Sequence, residues 1–528
     1  MKLSAHAFTR FWDVHAWAGV IGGLVLYVMF LTGAITLFHH ELEIWQEPLA
    51  QQAPLPGTHQ ALFERALAKL PARPESVWFY PKATGAAQLG YEDPRTGSWQ
   101  RLWFDGQTGE LTPERERLAE FLYNLHFLWH ESTGDWLYRA SGFLAVALLL
   151  AIVTGVLIHS KDLVRQFHQF RPDKSRRVWW SDMHKVLGVM GLPFQLLYAY
   201  TGALIVLAPL LLGAFVGPVF GGDQKRAEAV FWGMPEASAE QPGAPTAVRS
   251  LDELAARALA IEPRLAPDSY RVLYPGRANG RVDVQGPIRG TTPESYGAVR
   301  LRLADGKALH VDSPAAETAL GATWRWVRGL HYAYFGGLPL RFLFFVLALA
   351  TAATILTGNW VWLARRESRR ESPGNLLLAG LTVGVGAGTL VATAALFLTS
   401  RLLPFDLRDR CSAEEIVFLS VFVFCAAWAC MVEDCRALWW QGVGLAGVLL
   451  LPVPALAARW SEAGLFGSGP RIPAVAGVDV ALLVTALSLC GIAVALRRGA
   501  KQPVKVTSFA GSARDDAERV TLGWPGGR

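Results

Sequence analysis

The sequence predicts a polytopic α-helical membrane protein of about eight spans, with two parallel repeats of helix, α+β domain and helix followed by four further helices. Hydrophobic residues make up 52% of the chain, and 20 tryptophans are among them. Several apolar stretches reach the roughly 20 residues that a helix needs to cross a bilayer. The order of elements in the first 365 residues occurs twice. These observations predict an integral membrane protein with some of its mass outside the membrane.

The charge and the cysteines exclude several other classes of protein. The formal net charge of +6 does not indicate nucleic-acid binding, because the basic residues lie in a few short loops beside apolar spans. The five cysteines lie between positions 411 and 490 and form no C-x-x-C pair. Neither a disulfide framework nor an iron–sulfur or zinc site is therefore indicated. The first apolar run lacks a small-residue cleavage site and is interpreted as an uncleaved helix.

The first span is predicted from about Val14 to Phe38, where the charges and proline of HHELEIWQEP end it. The polar stretch after it contains a helical segment, ALFERALAKL. It continues with SVWFYP, AAQLGYEDP and SWQRLWFDGQTGEL, whose alternation and turn residues predict a small antiparallel sheet. The second span runs from Trp136 to His159, about 35 Å of helix, which is enough to cross the hydrocarbon core of a bilayer.

The third span begins near His184 and ends near Leu212, and the fourth runs from about Leu340 to Leu363. Between them, LDELAARALAI predicts a helix, and DSYRVLYPG, GRVDVQGP and AVRLRLADGKALHVDS predict strands. Four further spans are predicted at roughly 375–399, 415–432, 437–457 and 475–496.

The basic residues predict how the chain is oriented. The loop between Lys161 and Lys185 is the most basic of the chain, and RRESRR follows the fourth span. By the positive-inside rule both are cytoplasmic, which puts both termini in the cytoplasm and the two polar domains outside. The predicted divisions are 1–40, transmembrane helix 1; 41–125, outer domain; 126–212, helices 2 and 3 with the basic loop; 213–330, second outer domain; 331–366, helix 4; 367–497, helices 5 to 8; and 498–528, a cytoplasmic tail.

An internal repeat relates the two halves of the first 365 residues. His15-x3-Gly19 precedes Thr32-Gly33 with the same spacing as His184-x3-Gly188 precedes Thr201-Gly202. RALAKLP followed by SVWFYP corresponds to ARALAIEP followed by SYRVLYP. Two further matches are Leu125-His126 with Leu330-His331, and Thr154-Gly155 with Thr357-Gly358. Parallel copies of this kind are expected to pack around a pseudo-two-fold axis along the membrane normal.

The repeat and the predicted orientation sort the histidines into two groups. His15, His184 and His159 lie near the cytoplasmic face, and the outer face carries His126, His331, His130, His39 and His40. Two neutral imidazoles on opposite sides of an iron are a common ligand set for b-type haem. Pairing across the axis predicts two haem b groups, one between His15 and His184 and one between His126 and His331.

Other assignments of the histidines stay open. His159, His130 and His40 have no repeat partner and could be ligands or could support a ligand. A single haem, another metal or no cofactor are alternatives, because a histidine at a helix end is often only an interfacial side chain. The Thr-Gly and His-x3-Gly elements could be sites of close helix packing or could make room for a flat porphyrin.

Six segments resemble the PepSY-associated transmembrane family of bacterial inner-membrane proteins. They are DVHAWAGV with FLTGAITLFHHEL, LYNLHFLWH, TGVLIHSKDLVRQFHQFRP, WWSDMHKVLGVMGLPFQLLYAYTG and LHYAYFGGLPLRFLF, within residues 10–365. The resemblance implies that the outer domains are periplasmic PepSY modules. It also implies a haem-containing reductase that passes electrons to a ferric siderophore, so that iron leaves as ferrous ion. The chain departs from the family at Gln195, where related sequences often have histidine.

Two functions of different classes follow. The first is an inner-membrane dihaem electron-transfer protein that reduces a ferric siderophore or similar chelate on the periplasmic side, with Arg101, Trp103, Arg300 and Arg302 as candidate contacts or as solvated strand faces. Its electron donor is unknown, because the sequence carries no Rossmann glycine motif or flavin signature. The alternative is a non-redox membrane scaffold whose PepSY domains bind or inhibit an envelope protein.

Overall fold

The computed structural model describes residues 4–501 apart from 48–57, 71–72, 82–85, 106–107, 113–116, 162–164, 166–167, 172, 225, 229–241, 290–295, 314–318, 334, 368–370, 405–406, 408 and 433–434. The predicted tail lies outside the described residues from position 502 onward. The helices are α1 (Ala5–Thr36), α2 (His39–Gln46), α3 (His59–Ala68), α4 (Arg117–His126), α5 (Asp135–His159), α6 (Arg176–Met190), α7 (Leu192–Phe220), α8 (Leu251–Ile261), α9 (Ala319–Tyr332), α10 (Gly337–Arg365), α11 (Pro373–Leu402), α12 (Arg410–Met431), α13 (Arg436–Leu450), α14 (Val453–Ala457) and α15 (Pro473–Lys501).

Eight segments of the described chain are long and apolar enough to cross a membrane. They are α1, α5, α7, α10, α11, α12, the α13–α14 segment and most of α15. This confirms the prediction of a polytopic α-helical membrane protein. The prediction that the third span begins near His184 is wrong, because that histidine lies in the separate helix α6 and the span begins at Leu192. The break falls at Gly191, before Pro193, whose ring favours the first turn of a new helix.

A single antiparallel sheet lies at one end of the bundle. Its strands are β1 (Ser76–Pro81), β2 (Ala86–Glu92), β3 (Trp99–Asp105), β4 (Leu111–Thr112), β5 (Ser269–Leu273), β6 (Arg281–Pro287), β7 (Tyr296–Arg302) and β8 (Ala308–Asp312). The order is β4-β3-β2-β1-β5-β6-β7-β8. The sequence predicts a small antiparallel sheet in the first polar stretch and strands in the second. In the structure β1 pairs with β5, with Val77 opposite Val272, so the strands of both stretches form one sheet.

One apolar core supports both halves of the sheet. Alternate side chains of β1 face it, among them Val77 and Phe79, and Tyr270 and Val272 of β5 continue the same layer. Leu62, Phe63 and Ala66 of α3 and Leu251, Leu254 and Ala258 of α8 pack on it. The alternation of the strands and the apolar faces of the two helices thus bury one another, as a half-exposed antiparallel sheet requires.

The chain gives the bundle two distinguishable ends. The end where α1 leads into α2 and where α4 and α9 leave the sheet is called the sheet side, and the opposite end, where α1 begins, is called the far side. Two residues in the left-handed backbone region turn the chain from α4 and α9 toward the spans that follow them. Leu128 lies two residues after His126, and Ala333 lies two residues after His331, with φ of 60° and 54°. Such conformations cost about 1–2 kcal/mol in a residue other than glycine.

The four C-terminal spans pack through small residues. Gly380, Gly384 and Gly388 form a stripe along α11 that faces α12. A Cβ added at Gly384 would lie 2.7 Å from the Cα of Ala426, and one at Gly380 would lie 2.8 Å from the Cα of Cys430. Contacts this close between backbones are typical of small-x3-small interfaces between membrane helices. Tyr27 of α1 donates a hydrogen bond of 2.7 Å to the carbonyl of Gly386, which attaches α11 to the first span.

We expect Gly384→Ala to lower the melting temperature of the purified protein, followed by tryptophan fluorescence. The added methyl group overlaps the backbone of α12, and overpacking of this kind costs about 1–3 kcal/mol. Gly374→Ala is the matched control in the same helix, because nothing lies within 4 Å of its added Cβ. Equal melting temperatures for the two variants would contradict the close packing of α11 on α12.

Candidate functional site

Two imidazoles meet on the sheet side. His126 is the last residue of α4, and His331 is next to last in α9, so both are carried by the short helices that connect the sheet to the bundle. Their ring centroids lie 6.2 Å apart with an interplanar angle of 38°. Burial lowers the pKa of both histidines, that of His331 to about 3, so both rings are neutral at physiological pH. We call them the sheet-side pair.

A second pair of imidazoles lies on the far side. His15 of α1 and His184 of α6 have ring centroids 6.0 Å apart and an interplanar angle of 70°. At a rise of about 1.5 Å per residue, the stretch of α1 from His15 to Met29, which contacts His126, is about 21 Å long. The far-side pair and the sheet-side pair are therefore separated by much of the thickness of a bilayer.

A hydrogen bond to a neighbouring helix fixes the tautomer of three of these rings. In each, Nδ1 lies against a backbone carbonyl oxygen, which can only accept, so Nδ1 carries the proton and donates it. The lone pair is consequently on Nε2, the atom available to a metal, and this is how proteins orient a metal-binding imidazole. The distances are 2.7 Å from His15 to Ala151, 2.7 Å from His126 to Met29 and 2.8 Å from His184 to Thr354.

The fourth ring, that of His331, is held in the same tautomer by a hydroxyl group. Nδ1 of His331 lies 2.8 Å from Oγ1 of Thr201. The hydroxyl proton of Thr201 is donated to the carbonyl of Leu197 at 2.7 Å, so its oxygen accepts from His331. Tyr198 donates a further hydrogen bond of 2.9 Å to the carbonyl of His331. All four histidines thus present Nε2 as the unprotonated atom.

Each imidazole rests on the glycine of a Thr-Gly pair in an adjacent helix. A Cβ added to that glycine would lie within 3.5 Å of Cε1 of the ring in every case. Sequence reasoning had connected the Thr-Gly pairs with helix packing or with space for a porphyrin, and missed this role. The signal in the sequence that could have revealed this role is the presence of four Thr-Gly pairs in register with the four histidines. The Cβ to Cε1 distances are 2.6 Å for Gly33 and His126, 3.0 Å for Gly155 and His15, 3.1 Å for Gly358 and His184, and 3.5 Å for Gly202 and His331.

A cavity opens beside each pair. The sheet-side cavity, of about 500 Å³, is lined by His126 and His331, and the far-side cavity, of about 220 Å³, by His15 and His184. Leu26 and Leu148 line both cavities, so they form part of the wall between them.

A buried polar group points to an occupant of the far-side cavity. Gln195 lines this cavity, its side chain is 6% exposed, and its Nε2 has no hydrogen-bond partner within the described part of the chain. An unpaired buried donor costs about 1–3 kcal/mol, which a bound group with an acceptor would offset.

The histidines that have no repeat partner lie outside the two pairs. His159 lies on the wall of the far-side cavity. Nδ1 of His130 contacts Oγ of Ser132 at 2.7 Å, and its Nε2 lies 3.5 Å from Glu415, so both ring nitrogens are engaged. His39 packs on Tyr123 with 5.3 Å between ring centroids, and the side chain of His40 is exposed near Glu43.

The candidate contacts for a chelate are mostly paired within the sheet. Arg300 forms a bidentate ion pair with Asp283 on the adjacent strand, at 2.6 and 2.8 Å, and both residues are buried. Arg302 lies 3.2 Å from Asp305, and Trp103 is buried. Arg101 differs, because it lines the sheet-side cavity while it donates to Glu120 at 2.7 Å.

The donor set of each pair fits haem. A bond of about 2 Å from a metal to each imidazole nitrogen, plus roughly 1 Å from each nitrogen to its ring centroid, separates two centroids across one metal ion by about 6 Å. The observed separations are 6.2 and 6.0 Å. In the described residues no group of three or more His, Cys, Asp or Glu side chains is placed to hold a metal ion. Two neutral imidazoles with nothing else in each set are the ligands that b-type haem takes.

Fold and site together define a multi-pass membrane protein with a buried histidine pair toward each end of its bundle. The family model described as the PepSY-associated TM region matches residues 12–365, and the chain belongs to this family. The match covers every residue of both pairs. The chain is also similar to an uncharacterised protein of Pseudomonas aeruginosa, with 31% identity over 270 residues, which are 50% of this chain and 68% of the relative.

We expect Gly33→Ala to displace the imidazole of His126 and, on the expectation of one haem at each pair, to remove about half of the haem from the purified protein. The added Cβ would lie 2.6 Å from both Cε1 and Nδ1 of that ring, well inside van der Waals contact. Gly213→Ala in α7 is the control, since its Cβ meets nothing within 4 Å. Haem content is measured from the pyridine haemochrome spectrum. Full haem content in Gly33→Ala would show that this glycine does not position a ligand.

Proposed function

We propose that this protein is a dihaem b electron-transfer protein of the bacterial inner membrane. In this proposal it reduces a ferric siderophore or a similar ferric chelate on the periplasmic side, and the iron is released as ferrous ion. The observation that carries the proposal is the presence of two imidazole pairs toward opposite ends of one bundle, each with Nε2 unprotonated. One pair alone would suit a local redox or structural role, whereas two suit transfer of an electron across the bilayer.

The charges at the far side support the orientation that we propose. Lys161, Arg365 and Arg366 lie at the far-side ends of α5 and α10, as the positive-inside rule requires of a cytoplasmic face. The far-side pair is then near the cytoplasm, and the sheet is periplasmic. We further propose that α3 with β1–β4 and α8 with β5–β8 are two PepSY-like domains related by the internal repeat, joined through β1 and β5.

The protein's own contribution is to hold the imidazoles and to exclude water between them. When bound, haem supplies a one-electron carrier at each pair. His15 and His184 would hold the cytoplasmic haem, and His126 and His331 the periplasmic one. Leu26 and Leu148, in the wall between the two cavities, keep water out of the path. The carbonyls and the hydroxyl that accept from Nδ1 keep each ring in the tautomer that binds iron.

The sheet-side cavity supplies the place where the electron leaves. Its lining changes from apolar spans to aromatic and polar side chains toward the sheet, with Tyr123, Tyr138, Tyr332, Asn124 and Arg101. The hydroxyl groups of Tyr123 and Tyr332 lie 3.4 Å apart beside the histidine pair. Reduction weakens the hard-oxygen coordination that favours ferric iron, so the acceptor site needs proximity and polar contacts rather than a general acid or base.

The proposal predicts that ferric chelates reoxidise the reduced protein. Protein reduced with dithionite and freed of excess reductant is mixed anaerobically with a panel of ferric siderophores, and the visible haem spectrum is followed. We expect reoxidation together with ferrous iron captured by a colorimetric chelator. The gallium complexes of the same siderophores are the control, because gallium(III) has the charge and coordination of ferric iron but accepts no electron under these conditions. Reoxidation by no ferric chelate of the panel would contradict the reductase function.

The ligand assignment makes a separate prediction. His331→Ala and His184→Ala are each expected to remove about half of the bound haem, because each deletes one ligand of a different pair. His130→Ala is the matched control, since both nitrogens of that ring are engaged by Ser132 and Glu415. Haem per chain is measured after purification in detergent. If His331→Ala or His184→Ala retains all of its haem, the pairing is wrong.

A further inference from the structure

The far-side cavity carries its charges at one end. Among its lining residues Lys185, Arg365 and Arg366 are cationic, and no aspartate or glutamate of the described chain lines it. Lys185 forms an ion pair with Asp182 at 3.0 Å, and the same carboxylate also accepts from Arg171. Cationic side chains therefore outnumber carboxylates among the residues that line this end of the cavity, and an anion is the complementary occupant.

Both guanidinium groups are held by stacking. Arg365 lies over the ring of Trp12 at 4.1 Å from the centroid, and Arg366 lies over the ring of Trp362 at 3.3 Å. A guanidinium group stacked on an indole face keeps its N–H donors in its own plane, where a carboxylate can accept from them. The two side chains are thus ordered at the cavity without being neutralised by the aromatic rings.

The position of these arginines suits the edge of a ligand held by the histidine pair. Trp12 lies about one helical turn before His15, and Arg365 about two turns after Gly358, the residue on which His184 rests. Both displacements are toward the far end of the bundle. The lining on the other side of the pair is mostly apolar, with residues such as Val20, Gly23 and Ile355, and its polar members are Gln195 and Thr354.

Haem has the same asymmetry as this cavity. Its two propionate carboxylates leave one edge of the macrocycle, and the rest of the ring is apolar. We propose that Arg365 and Arg366 bind the propionates of the cytoplasmic haem, so that its carboxylate edge faces the far end of the bundle and its apolar edge faces the membrane interior. This inference rests on the proposed function, because it requires a haem between His15 and His184.

The arrangement has a measurable electrostatic consequence. Reduction of the iron adds a negative charge, and a nearby cation favours it. Removing the two cations therefore stabilises the oxidised haem and lowers its midpoint potential. Only the cytoplasmic haem is affected, because the periplasmic pair lies about 21 Å along α1 from the cytoplasmic one.

The test is a redox titration of purified protein, followed by visible absorbance. The double variant Arg365→Gln, Arg366→Gln is compared with the wild type and with Arg497→Gln. Arg497 also stacks on an indole ring, that of Trp440 at 5.3 Å, but it does not line the cavity. In the double variant we expect the equilibrium of one of the two redox steps to shift at least tenfold toward the oxidised form. For one electron this lowers the midpoint potential by at least 59 mV. The other step, and both steps of Arg497→Gln, stay unchanged.

Two further variants complete the test: one separates the effect of charge from an effect on folding, and the other assigns the shifted redox step. Arg365→Lys, Arg366→Lys keeps both charges and is expected to restore most of the potential, even if the glutamine variant loses the cytoplasmic haem altogether. The same titration in His331→Ala, which holds the cytoplasmic haem alone, assigns the shifted step.

The inference is overturned if the glutamine variant binds two haems with both potentials unchanged, in which case the arginines contact lipid headgroups only. It is also overturned if the lysine variant changes as much as the glutamine variant. Wild-type protein without haem would instead overturn the proposed function itself.

Discussion

The hydrogen bond from each imidazole Nδ1 to an acceptor on the neighbouring helix is the constraint on which the site depends. It fixes the proton on Nδ1 and leaves the lone pair of Nε2 facing away from the helix that holds it. Such a bond forms only if the Nδ1–Cε1 edge of the ring lies close against that helix, which a side chain larger than hydrogen would prevent. The requirement explains why glycine occupies positions 33, 155 and 358, where an added Cβ would overlap a ring. In a membrane, where helices attract one another weakly, this contact also holds the spans in register.

Much of this arrangement could be predicted from the sequence, because the repeat carries long-range information that a single helix lacks. Equal spacing placed His126 with His331 and His15 with His184, and the structure brings both pairs together. The sequence left His159 open as a further candidate ligand beside His15 and His184. In the structure it lies on the wall of the far-side cavity, outside the pair. The acceptors of Nδ1 were not predictable, since they depend on how two helices cross. The joining of β1 to β5 and the break at Gly191 likewise depend on packing between distant segments.

The C-terminal helices, whose purpose the sequence left open, support the sheet side of the bundle. Leu42 and Trp45 of α2 and Leu122 of α4 pack in one apolar cluster with Phe397 and Phe418 of these helices. A buried polar network strengthens the contact: Trp45 donates to Asp479 at 2.8 Å, and Arg401 stacks on the indole of Trp45 at 4.2 Å. Since α4 ends at His126, this contact helps to hold one half of the sheet-side pair. A buried cation stabilises such an interface only while its partners are in place.

The central claim is that the two pairs each hold a haem, and the most direct measurement is the haem content and visible spectrum of the detergent-purified protein. We expect two haem b per chain by the pyridine haemochrome assay, in a low-spin spectrum whose Soret band shifts on addition of dithionite. Protein that is folded but colourless after expression with adequate haem would contradict it. That result would favour the alternative, a non-redox membrane scaffold in which the four histidines only pack the helices together.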